Sequence, residues 1–147
     1  MSKVAAYYHI VFCTKAREMT LPKEVRDDMY RFMWKEIQNQ KCRLIRIGGI
    51  ANHVHILIDL HPSVALSDLM KQVKGKSSTW MGRAPGFIRF KGWASEYFAS
   101  TVSPEDRFAV IEYIKNQETH HYGIAFDDEI QCMYQMADLP DHDNDLV

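Results

Sequence analysis

At 147 residues, with 46% apolar and 25% charged side chains, the chain has the size and balance of one globular domain with a single core. No run approaches the ~18 apolar residues of a membrane span, and Met1-Ser2-Lys3 leads directly into a strand-like segment. A cytoplasmic protein without a leader or a membrane anchor is therefore expected. Cys13, Cys42 and Cys132 are odd in number and far apart, which fits neither a disulfide framework nor a zinc spacing and predicts reduced thiols.

The formal charge of −1 hides an asymmetry. Residues 71–91 hold six basic side chains (Lys71, Lys74, Lys76, Arg83, Arg89, Lys91) and no acidic one. Residues 127–147 hold seven acidic side chains and no Lys or Arg, so residues 1–126 carry 18 basic against 12 acidic groups, a charge of +6. A local basic field of this kind can bind phosphates whatever the total charge. A solvated basic face without a ligand is the alternative.

In chain order, residues 4–14 are β-branched and aromatic and predict a first strand. Leu21-Pro22 opens a helix in which Val25, Met29, Phe32, Met33 and Ile37 recur at spacings of three and four, a core stripe. Residues 42–47 predict a second strand, and Gly48-Gly49 allows a turn or bulge before a third. That third strand is Asn52-His53-Val54-His55-Ile56-Leu57-Ile58. With a period of two, His53 and His55 share one face, while Val54 and Ile56 share the other. Two imidazoles so placed can share a divalent cation, or can be partly buried groups bonded to their neighbours.

Leu66, Leu69, Met70 and Val73 give a second helix its apolar face, and residues 93–102 predict a further strand. Ser103-Pro104-Glu105-Asp106 predicts an N-cap with acids in the first turn of a last helix, from about residue 105 to 121, where Gly123 stops it. The acidic end reads as a peripheral or disordered tail. The order β-α-β-β-α-β-α predicts an α+β fold: a ferredoxin-like or RRM-like split βαβ antiparallel sheet with two helices on one face, plus a C-terminal helix. That extra helix could cover part of the open face or reach a partner subunit.

Tyr113 and Gln117 stand four apart, on one face of the last helix. A phenol with an ordinary pKa near 10 is a weak nucleophile unless a cation polarises its phosphodiester target. Two imidazoles and a carboxamide oxygen make an incomplete N/N/O shell that suits Mg²⁺ or Mn²⁺ more than a closed zinc site.

His53-Val54-His55 resembles the His-hydrophobic-His signature of HUH endonucleases. The segment Glu112-Tyr113-Ile114-Lys115-Asn116-Gln117-Glu118 is similar to the catalytic helix of the single-tyrosine transposases of the IS200/IS605 family. Tyr7-Tyr8-His9-Ile10-Val11-Phe12 resembles that family's first strand; Lys74-Gly75-Lys76-Ser77-Ser78 and residues 93–102 resemble its middle segments. The resemblance covers roughly residues 5–126 and implies a transposase domain over 1–126, followed by an acidic C-terminal tail over 127–147.

It implies, further, a homodimer with shared active sites that cuts single-stranded DNA with hairpin ends through a 5′-phosphotyrosyl intermediate and then rejoins strands. Tyr113 would be the nucleophile, and His53, His55 and Gln117 would bind Mg²⁺ or Mn²⁺. No P-loop is present, and this chemistry needs no nucleotide cofactor. Asn52 departs from the Asp frequent before the first histidine, which puts the surroundings of the metal in question.

Lys71, Lys74, Lys76, Arg83, Arg89 and Lys91 are candidates for phosphate contacts, and Trp80, Phe87 and Trp93 could stack on bases or pack in the core. His120 and His121 read as structural or phosphate-contacting. A replication initiator or relaxase would bring further domains, and a histidine-triad hydrolase is excluded by Leu57. Two alternatives stay open: a non-catalytic single-strand-binding module on the same sheet, and a host-adapted HUH nuclease that processes repeated palindromes.

Overall fold

A computed structural model describes residues 2–120 and 125–139. Strands β1 (Tyr7–Cys13), β2 (Arg43–Ile50), β3 (His53–Asp59) and β4 (Phe98–Val102) form one sheet in the order β2-β3-β1-β4. Every neighbouring pair is antiparallel. Helices α1 (Lys23–Asn39) and α2 (Leu66–Met81) make the two crossovers, so this is the expected split βαβ sheet.

Alternation divides the strands cleanly. Ile10, Phe12, Val54, Ile56 and Ile58 point to one face and pack against Met29, Met33 and Ile37 of α1 and Leu69, Val73 and Met81 of α2. Each of these side chains is essentially sealed from water, worth ~1.5–3 kcal/mol apiece in transfer terms. Trp80 and Trp93 lie against this core and Phe87 is within it; Trp93 Nε1 donates to Ser77 Oγ at 2.9 Å. These aromatics are packing residues, the second of the roles their sequence allowed.

The opposite face carries Tyr7, His9, Val11 and Cys13 of β1 beside His53, His55 and Leu57 of β3, with Val11 opposite His55 and Cys13 opposite His53. Two later elements cover it. Helix α3 (Arg107–Lys115) starts from a 3-10 turn over Pro104–Asp106, whose Ser103 Oγ accepts from Asp106 N as the predicted cap. Its Ile114 packs on Tyr7 and Leu57. The last helix breaks at Asn116 and resumes as the short α4 (Gln117–His120), where one run to residue 121 was expected. Gly123 and the imidazole-bearing His121 lie outside the described residues.

Over Phe126–Met136 the acidic stretch is a helix, α5, rather than a loose tail. Phe126, Ile130 and Tyr134 recur every fourth residue and pack on Val11, Cys13 and Phe98, while Asp127, Asp128 and Glu129 sit in the first turn, where the helix dipole favours them. Residues 140–147 of the acidic stretch lie outside the described residues.

Gly48 and Gly49 are inside β2, not in a turn, and the irregularity in that strand falls between Leu44 and Arg46. A Cβ at Gly48 would lie 2.7 Å from the Ile114 carbonyl oxygen. The missing side chain is what lets α3 descend onto the sheet beside the histidines.

Candidate active site

The turn between β2 and β3 is pinned by its neighbours: Thr14 N donates to the Asn52 carbonyl, and Thr20 N and Leu21 N donate to that of Ala51. Asn52 Nδ2 donates to the Arg17 carbonyl at 3.3 Å, which turns Oδ1 toward His53 Nδ1 at 2.8 Å. With Nδ1–H spent on Asn52, Nε2 of His53 presents its lone pair to the site. The Asn in place of Asp is thus an orienting neighbour of the first histidine.

His55 is held in a similar way. Its Nδ1 lies 2.9 Å from His9 Nε2, and the two rings stack at 5.1 Å. Burial, then the neighbouring His55, lowers the His9 pKa from 6.5 to about 3. Burial likewise brings His53 down to about 4. Both rings are neutral at neutral pH, the state in which imidazole binds metals.

Gln117 arrives from α4. Its Nε2 donates to the Tyr113 carbonyl at 3.4 Å and to Glu129 Oε2 at 3.2 Å, leaving Oε1 aimed at His53 Nε2, 3.1 Å away. Glu129, from α5, completes the cluster: Oε1 lies 3.4 Å from His53 Nε2 and 3.5 Å from His55 Nε2. His53, His55 and Glu129 offer ligand atoms all within 4.8 Å of one another, and all three are buried.

This arrangement fits a cation. In the tautomer fixed by Asn52, His53 Nε2, Gln117 Oε1 and Glu129 Oε1 are all lone-pair donors directed at one another, which is unfavourable unless a positive charge lies between them. Separations of 3.1–3.5 Å are close to the ~3 Å between adjacent ligands of an octahedron with ~2.1 Å bonds. The mixed nitrogen and oxygen set is one that a divalent metal ion can accept.

The phenol stands at the edge of the same cluster. Tyr113, half-buried, donates its hydroxyl to Glu129 Oε2, and its ring meets His55 edge-on at 5.5 Å. Burial and then the Glu129 hydrogen bond push its pKa above the ordinary phenol range. Burial pushes the Glu129 carboxyl up, but the facing imidazoles of His53 and His55 and the hydrogen bond from Tyr113 outweigh it and hold it below the usual carboxylate range. The resting site therefore pairs a protonated phenol with an ionised carboxylate.

All four residues singled out in the sequence, His53, His55, Tyr113 and Gln117, meet within one chain. Glu129 and His9 are the two that sequence reasoning missed. The signal for Glu129 was the four-residue spacing of Phe126, Ile130 and Tyr134, hidden by a composition that reads as tail; for His9 it was strand parity, which places it on the histidine face.

The basic set lies elsewhere. Lys71, Lys74 and Lys76 are on α2, which packs on the far face of the sheet, and Arg83, Arg89 and Lys91 follow it. Lys74 donates to the Ala94 carbonyl at 2.6 Å, and Lys76 pairs with Glu36 at 3.1 Å. Lys71, Arg83 and Arg89 are exposed, as is Lys91, which stands 4.0 Å from Glu18. Among the described residues no helix is long and apolar enough to cross a membrane.

Comparison with known proteins points in one direction. A family model described as "Transposase IS200 like" matches residues 2–117. The chain is 30% identical over 115 residues to the transposase for insertion sequence element IS200 of Salmonella typhimurium, spanning 75% of each protein. It is 29% identical over 115 residues to the ISDra2 transposase TnpA of Deinococcus radiodurans, spanning 75% of this chain and 82% of that one. A crystal structure of a Deinococcus radiodurans transposase superposes with a TM-score of 0.61 at 26% identity, covering 80% of this chain and 95% of the other. A REP-associated tyrosine transposase bound to a REP hairpin shares the fold, with a TM-score of 0.60 at 13% identity over 82% of this chain and 74% of that one. Glu129 and α5 lie beyond the segment that the family model matches.

Proposed function

The chain belongs to the IS200-like transposase family, and from that premise we propose that it cleaves and rejoins single-stranded DNA through a covalent phosphotyrosyl link at Tyr113. The observation that carries this reading is the meeting of the Tyr113 hydroxyl with His53, His55, Gln117 and Glu129 in one cluster. A packing tyrosine has no need of a carboxylate and two oriented imidazoles beside its hydroxyl.

In this mechanism the phenol oxygen bonds to the phosphorus of a phosphodiester and the P–O3′ bond breaks. The 5′-phosphate stays on Tyr113, and the departing strand takes a proton from water to leave as a 3′-hydroxyl. The phenol proton passes to Glu129 Oε2, which already accepts its hydrogen bond. His53, His55, Gln117 and Glu129 would hold Mg²⁺ or Mn²⁺, whose contribution when bound is Lewis-acid polarisation of the phosphate. Asn52 and His9 keep the two imidazoles turned inward. Because the phosphodiester energy is retained in the tyrosyl link, a later 3′-hydroxyl can reverse the step without a nucleotide cofactor.

The body of a DNA hairpin would lie on the basic stripe of Lys71, Lys74, Lys76, Arg83, Arg89 and Lys91, across the sheet from the phenol. Lys74, tied to the Ala94 carbonyl, contributes least to that surface.

The test is an end-labelled single strand from the DNA flanking the coding sequence, incubated with Mn²⁺ or Mg²⁺. A denaturation-resistant adduct forms with the native chain and is absent with Tyr113→Phe or with a chelator. A gel shift with no adduct would support the binding-module reading instead. Mixing Tyr113→Phe with His53→Ala separates two assemblies. No restored adduct means each chain uses its own phenol; a restored adduct means a homodimer that exchanges tyrosine helices.

A further inference from the structure

Beside the phenol a groove of about 540 Å³ opens between β4, α3 and α5, within the ~300–1,000 Å³ usual for small-ligand sites. Tyr113 and Glu129 are among its lining residues, so it is continuous with the cluster, whose His53 and His55 are themselves fully sealed from water. Its walls include Phe98, Val110, Met133 and Met136, and among the described residues no Lys or Arg lines it.

We propose that this groove receives an unpaired nucleobase adjoining the phosphodiester that Tyr113 attacks. The inference rests on the function proposed above and assigns it a substrate contact. Away from the phosphate at Tyr113, charge disfavours further phosphates as the occupant: the groove is lined by the carboxylates Asp106 and Glu129 and the buried His9, and among the described residues by no Lys or Arg.

A base is planar and uncharged, and aromatic and thioether side chains stack on it with little regard to its identity. Met136 is 84% exposed, an apolar side chain in water that gains a partner when a base enters beside it. The base must be unpaired, since pairing would hold its faces inside a duplex stack.

The chain carries its own reporter. Cys132 lines the groove and is exposed, whereas Cys13 and Cys42 are buried, so a thiol reagent applied to the folded protein reads Cys132. The probe is the flanking single strand that gives the adduct, bound to Tyr113→Phe so that cleavage does not intervene. Alkylation of Cys132 should slow about tenfold at saturating single strand and stay unchanged with the same sequence as a blunt duplex.

A second variant, Ala109→Trp, fills the groove from α3. It should lower adduct yield about tenfold while Mn²⁺ affinity, read by electron paramagnetic resonance, stays unchanged. An adduct from the native chain with Cys132 still alkylated at its free rate overturns the groove assignment alone, as does full adduct yield from Ala109→Trp. Failure of the native chain to bind single strands or to form an adduct overturns the functional reading beneath it, and this assignment with it.

Discussion

The Tyr113 hydroxyl is hydrogen-bonded to the Glu129 carboxylate, which stands 16 residues later on a different helix and faces both His53 and His55. One side chain therefore touches the nucleophile through Oε2 and the imidazole pair through Oε1.

That double contact gives a first prediction. Glu129→Gln keeps the shape but removes the charge, so Mn²⁺ affinity should fall about 10–100-fold, in the range seen when metal-site partners are lost. Electron paramagnetic resonance titration measures it directly. An unchanged affinity would remove Glu129 from the donor set and leave it only as the partner of the phenol.

His9 acts through His55. Removing it in His9→Ala frees His55 to adopt the tautomer with Nε2 protonated, which ¹⁵N NMR of the ring nitrogens detects without any metal present. His9→Gln, which keeps an acceptor for Nδ1–H, should restore the native signature and much of the adduct yield. If both variants show the native ring spectrum, His9 is a packing residue.

Gly48→Ala tests how α3 is seated. The new methyl would lie 2.7 Å from the Ile114 carbonyl, a backbone atom that can yield only if the helix lifts. We expect a loss of about 1–3 kcal/mol in denaturant unfolding. Adduct formation should fall further than stability alone accounts for, because Tyr113 rides on the displaced helix.

Acid should loosen this face before the rest of the fold. His53 and His9 are held at about 4 and about 3, chiefly by burial, whereas in the unfolded chain both titrate near 6.5. Below 6.5 the unfolded chain binds protons that the folded chain refuses. Stability is therefore undiminished above that value and falls as pH drops from 6.5 toward 4, by at most ~1.4 kcal/mol per pH unit for each imidazole. Glu129, held below the ordinary carboxylate range, adds its own loss at still lower pH. Melting temperatures taken in chelator across this window should decline steadily, and a flat profile would mean that the rings ionise in place.

Much of this was legible from local pattern. Period-two alternation placed His53 and His55 together, and the four-residue spacing of Tyr113 and Gln117 survived the break at Asn116, since Gln117 Nε2 still reaches the Tyr113 carbonyl. The strand expected over residues 93–102 contracted to Phe98–Val102, with Trp93 making an isolated bridge to Thr14. The charge asymmetry misled at one point, since the seven acids of residues 127–147 read as a peripheral or disordered tail and concealed the amphipathic helix over Phe126–Met136.

The sequence by itself determined the split βαβ sheet, the face on which the histidines stand, and the pairing of phenol with carboxamide, because strand and helix periods are local properties of the chain. Only the tertiary structure decided that Glu129 and His9 join them, that the lysine stripe lies across the sheet, and that Gly48 sets the height of α3. Those depend on which surfaces come together when separate elements bury their apolar faces, and no spacing along the chain encodes a distance between helices that meet only on folding.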